Sequence, residues 1–188
     1  MVLRDELTIF YRIFSTTKEA IEKFMSMLDP VIEFAKDDHE RLYYHHIYEE
    51  EEQRLSRLEI LIPLIAKFEG IKDDHAFTPT NNEFNRLLQE LNLEKFGLHN
   101  FVEHLDLALF QFTDEERSTL LKKLRTDAYA DYQQVKEMLM GINKRFDHDY
   151  MDPHAHHDEH HDHLAPPVTV QEKKMSSGKK GFTVGSLR

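Results

Sequence analysis

The sequence has no cysteine and no tryptophan, and only six glycines and six prolines in 188 residues. Without cysteine there is no disulfide framework, no thiolate zinc site and no thiol nucleophile. No apolar run approaches the ~20 residues that span a bilayer, so no membrane partner is expected. The first residues, Met1-Val2-Leu3-Arg4-Asp5-Glu6, lack the apolar stretch of a signal peptide, and a cytoplasmic protein is expected. Positive charge is in deficit: 24 Lys and Arg stand against 35 Asp and Glu, a formal charge of −11. That balance argues against a nucleic-acid surface. No alternating strand pattern is visible, which argues against a β-rich fold. What the sequence does hold in excess is histidine, 13 residues that composition alone does not explain.

The chain divides near Phe146. Residues 1–146 carry 28 acids and 19 bases, with only Pro30, Pro63 and Pro79 to interrupt them. Leu3, Leu7, Phe10, Phe14, Ile21, Phe24 and Leu28 form a one-sided stripe at helical period over 3–28. Asp29-Pro30 should end that helix, with Asp29 capping the next. A second helix is expected over 31–69, kinked or broken at Pro63. Residues 70–80 read as a loop. A third helix is expected over 81–112, with Gly97 as a weak point. Thr113-Asp114-Glu115-Glu116 resembles a capping box and opens a fourth. Its inner stripe is Leu121, Leu124, Ala128, Val135, Leu139, Ile142 and Phe146. The expected fold is all-α: an antiparallel, up-down-up-down four-helix bundle over 1–146.

Polar groups interrupt the second stripe. Projected from Phe34/Ala35 towards Leu58, it passes through His39, Leu42, His46, Glu49 and Gln53. An ionised carboxylate inside a bundle costs several kcal/mol unless it is paired or bound to metal. His46 and Glu49 are three apart and His45 and Glu49 four apart, so either pair can reach one ion. Of Glu49-Glu50-Glu51-Glu52, at least one must point inward; Glu49 is the first choice and Glu52 the second. Antiparallel helices two and three put His46 level with His104, and helices three and four put His99 level with Asp127. His99 and Glu103 are a further i, i+4 pair. His39, His45, His46, Glu49, Glu52, His99, Glu103 and His104 are therefore the candidate metal ligands, with Glu49 and His46 the candidate catalytic pair. Imidazoles and carboxylates on facing helices suit non-haem iron or manganese. Segments 42–48 and 101–112 are apolar nearly all round, which suggests a second subunit and a homodimer.

Residues 147–163 hold seven His and six acids with no base, a composition suited to weak capture of divalent ions. Residues 164–180 read as a flexible linker, and the whole C-terminal tail as disordered. The chain then ends Gly181-Phe182-Thr183-Val184-Gly185-Ser186-Leu187-Arg188. An apolar ending after such a linker reads as a short motif that docks in a partner's groove.

Thr183-Val184-Gly185-Ser186-Leu187 resembles the cargo-loading peptide of encapsulin nanocompartments. With a helical, His- and Glu-bearing bundle before it, the chain is similar to the ferritin-like cargo proteins of iron-mineralising encapsulin systems, the IMEF type. The resemblance implies a ferroxidase inside a cytoplasmic encapsulin shell. It would oxidise Fe²⁺ to Fe³⁺ with O₂ at a dinuclear site and be docked through Phe182, Thr183, Val184, Gly185, Ser186 and Leu187 within 181–188. It also implies that the iron site can lie at a subunit interface. Two other readings stand beside it. His45-x-x-x-Glu49 resembles part of the hemerythrin pattern, which would make the chain an O₂- or metal-binding module. A non-catalytic iron chaperone would bind through the 147–163 tract alone.

Overall fold

The computed structural model describes residues 2–78 and 80–146. The expected tract at 147–163, linker at 164–180 and docking peptide at 181–188 lie outside the described residues. Four helices make up the rest: α1 (Val2–Glu33), α2 (Asp38–Glu69), α3 (Asn82–Gln111) and α4 (Glu115–Phe146), with one 3₁₀ turn at Asp74–Ala76. Each is 30 to 32 residues long, or roughly 45–48 Å at 1.5 Å per residue. No strand occurs among the described residues, and no helix there is long and apolar enough to cross a membrane. α1 packs along α2 and α3 along α4. The two hairpins close on each other through α2–α3 and α1–α4, which is the expected antiparallel bundle.

Local chemistry sets the ends. α1 runs through Asp29-Pro30 to Glu33 rather than stopping at Leu28. Pro30 sits in the last turn, where its missing N–H forgoes one i→i−4 backbone hydrogen bond, while Val31 and Ile32 still pack on the core. The break comes at 34–37. Asp37 caps α2 by accepting the Glu40 N–H at 2.8 Å, and the Glu40 carboxylate accepts the Lys36 N–H at 2.9 Å. α2 continues without interruption through Pro63. Asn81 caps α3 through the N–H groups of Glu83 and Phe84. At α4 the capping side chain is Asp114, not Thr113: its carboxylate accepts the Arg117 N–H at 3.0 Å. That bond is the main reason its carboxyl is held below the usual range.

The core is a continuous apolar column. Phe10, Phe14, Phe24, Phe68, Phe84 and Phe101 are its largest fully buried members. On α4 the buried residues are Leu121, Leu124, Ala128, Val135, Leu139 and Ile142, all expected from sequence, with Phe146 partly covered against Phe84.

Candidate metal centre

On α2 the buried residues are Tyr44, Ile47, Glu51, Arg54, Leu58, Leu61, Ile65 and Phe68. That is an unbroken 3-4 repeat, the seam of a packed helix. The inward phase therefore differs from the one projected from Phe34/Ala35. Phe34 lies outside α2 and is exposed, as is Leu42. The inward glutamate of the run 49–52 is Glu51; Glu49 and Glu52 face solvent.

Glu51, Arg54 and Glu94 are each no more than 2 % exposed. Arg54 Nε and Nη2 both donate to Glu94 Oε1, at 2.7 and 2.5 Å. Arg54 Nη1 lies 3.6 Å from Glu51 Oε2, too far for a hydrogen bond, and neither atom has another partner. The guanidinium also lies over the Phe101 ring, 5.4 Å from its centroid. Gly97 makes room for this pair: a Cβ there would sit 2.8 Å from Arg54 Nε and 3.1 Å from Glu94 Oε2. Burial pushes the Glu94 carboxyl above its ordinary range, and Arg54 beside it opposes that shift.

From this interior array a chain of polar contacts leads outward. Glu51 Oε1 is 2.7 Å from Nδ1 of His104 on α3. His104 Nε2 is 3.3 Å from Glu50 Oε2, and His46 Nε2 is 3.0 Å from Glu50 Oε1. The Glu50 carboxylate thus lies between two imidazoles, one on each oxygen. His104 is mostly covered, Glu50 half-exposed and His46 largely open to solvent. Glu50, Glu51, Arg54, Arg57, Gly97 and His104 all border one cavity of about 220 Å³.

The other expected ligands are dispersed. His45 and Glu49 pair at 3.4 Å, and His99 and Glu103 at 3.8 Å, both on the surface. The His99 ring packs edge-on against Tyr132 of α4. It is therefore level with Tyr132 and not with Asp127, which pairs with Lys123 at 2.6 Å. His39 borders a separate cleft with Leu42, Tyr43 and Gln111. Among the described residues no group of three or more ligating side chains is arranged to hold an ion. The structure brings His46 and His104 together across α2 and α3, as expected, but through Glu50. Glu50, Glu51, Arg54 and Glu94 were missed. Counting back from Leu58 by four and three reaches Arg54, Glu51, Ile47 and Tyr44, and would have found the buried pair on α2.

The donor set suits a borderline ion. Both imidazole–Glu50 separations, 3.0 and 3.3 Å, are those of ordinary imidazole–carboxylate contacts, and it is the donor types, imidazole and carboxylate, that suit such an ion.

Comparison with known proteins places the chain among relatives. The family model described as IMEF cargo Flp protein matches residues 10–146. A protein of Bacillus thermotolerans named "Ferritin-like protein" is 69 % identical over 190 residues, covering 98 % of this chain and 99 % of that one. A solved structure titled "Crystal structure of an Iron binding protein" is 74 % identical with a TM-score of 0.70, covering 74 % of this chain and 99 % of that one.

Proposed function

The chain belongs to the IMEF cargo Flp family, and on that premise we propose that it is a ferroxidase cargo of an encapsulin nanocompartment. The observation that carries the reading is the Glu50 carboxylate with His46 Nε2 facing one oxygen and His104 Nε2 facing the other. One carboxylate with an imidazole on each side is the half-site a pair of iron ions needs: a bridge and one nitrogen cap per ion. Iron is the substrate. Two Fe²⁺ give one electron each to O₂, which takes up two protons and leaves as H₂O₂, and the Fe³⁺ leaves to nucleate mineral within the shell.

In this assignment Glu50 takes the place in the catalytic pair that the sequence reading gave to Glu49, and His46 keeps its own. The surface pairs His45–Glu49 and His99–Glu103, with Glu52 and His39, act as lower-affinity entry ligands. Two ligands per ion leave coordination positions open. A second copy of the chain is the natural source of more, because Leu42, Tyr43, Leu107 and Phe110 stay exposed on the same two helices, Phe110 at 85 %. The reading therefore includes a homodimer with dinuclear iron at or beside its interface. Residues 147–163 would concentrate Fe²⁺, 164–180 would act as tether, and 181–188 would dock on the shell inside the cytoplasm.

Two variants test it. Glu50→Ala should reduce Fe²⁺-dependent O₂ uptake by about 10²-fold or more, since a bridging carboxylate serves both ions. Glu49→Ala should leave most of the rate. Equal rates in Glu50→Ala and the parent would remove Glu50 from the site.

A further inference from the structure

Three charged side chains sit in the core where apolar residues of similar size would pack at no electrostatic cost. Removing two carboxylates and a guanidinium from water carries a penalty that such groups rarely recover in stability. Their arrangement is directional. Arg54 spends two donors on one oxygen of Glu94. Its third nitrogen faces Glu51 at 3.6 Å. Glu51 in turn presents its other oxygen to His104 Nδ1 at 2.7 Å. Gly97, under the guanidinium, is the position where any side chain would displace the pair.

An ionised carboxylate only accepts, and of the two ring nitrogens Nδ1 is the nearer to one, 2.7 Å from Glu51 against 3.3 Å from Nε2 to Glu50, so in the neutral ring the hydrogen belongs on Nδ1. The opposite nitrogen, Nε2, is the one that faces Glu50 and the cavity. A carboxylate behind an imidazole fixes both the tautomer and the ring plane of a metal-ligating histidine and raises its basicity.

We infer that Glu51, steadied by the Arg54–Glu94 pair, is a positioning residue that holds the His104 proton on Nδ1 and keeps Nε2 free for iron. The inference rests on the reading of His104 and Glu50 as iron ligands, and deepens it. Glu51 does not touch the ion. It acts through His104.

The test uses the full chain, ¹⁵N-labelled and metal-free, with imidazole nitrogens read by two-bond ¹H–¹⁵N correlation. His104 is assigned by its loss in His104→Gln. In the neutral ring the hydrogen should reside on Nδ1; a neutral ring carrying it on Nε2 overturns the inference. This reading of the parent needs no variant to fold. In Glu51→Gln the amide can donate as well as accept, so the tautomer should shift towards Nε2–H. Co²⁺ affinity, followed by its visible absorption, should fall about 10–100-fold with helix content unchanged. Unchanged Co²⁺ affinity in a folded Glu51→Gln also overturns the positioning role. His104→Gln separates the two layers. If it binds Co²⁺ as the parent does, the ligand reading falls, and the positioning role with it. If it loses binding while the parent ring is Nε2-protonated, only the positioning role falls.

Discussion

Glu51 and Glu94 put two carboxyl groups into the core against the single guanidinium of Arg54, with Arg57 at its edge. Arg54→Met would leave two carboxylates buried near each other and should cost about 3–5 kcal/mol, measured by urea unfolding. Glu94→Gln should cost less, because burial favours the neutral form of that group. The pH dependence follows from the same shift. A carboxyl whose folded pKa is raised binds its proton more tightly when folded, so its contribution is present below the ordinary carboxylate range. It is lost as pH rises through the folded pKa. The stability of the parent relative to Glu94→Gln should therefore decline as pH increases above that range; a flat difference would show that Arg54 cancels the burial effect. Gly97→Ala should destabilise by about 1–3 kcal/mol, since the added methyl meets the guanidinium. Of Glu51, Arg54 and Glu94, the first two were legible only by counting back from Leu58, and nothing in the sequence marked Glu94. Charged residues at seam positions erase the apolar pattern that would mark them as inward.

The helices were more legible than their phases. α4 shows its stripe cleanly because all six inner positions are apolar, and α1 does so for Leu7, Phe10, Phe14, Ile21, Phe24 and Leu28. α2 does not. Its first half alternates His, Tyr and Glu, and the apolar anchors from which the projection starts, Phe34 and Ala35, lie in the turn. A projection from that end comes out on the wrong face, while one from Leu58 backwards does not. Pairing by level fared better between α2 and α3, where Arg54 meets Glu94 and His46 and His104 meet the same carboxylate, within a turn of the expected register, but not between α3 and α4, where His99 meets Tyr132. The helix starts rest on single side chains. Asn81→Ala removes an acceptor shared by two backbone N–H groups. It should cost about 1 kcal/mol, read as a fall in thermal midpoint with the α3–α4 core intact.

At the scale of the molecule, the bundle places a chain of polar contacts in a largely apolar interior. It runs from the Arg54–Glu94 pair through Glu51 and His104 to Glu50 and His46 at the surface. On the proposed reading the chemistry lies on the α2–α3 face, where a second copy would reach it. The shell address and the histidine tract belong to the proposal through sequence alone. Fusing residues 181–188 to an inert protein and co-expressing it with an encapsulin shell should give co-assembly, and its failure would remove the address. The central claim is that the helical bundle, not the tract, oxidises iron. The direct test is anaerobic Fe²⁺ titration of the full chain followed by O₂, with Fe³⁺ read by absorbance. The parent is compared with a variant whose seven histidines in 147–163 are replaced by Ser, and with Glu50→Ala. The account predicts rapid, saturable Fe³⁺ formation in the tract variant and its loss in Glu50→Ala. Oxidation that disappears with the tract and persists in Glu50→Ala would contradict it.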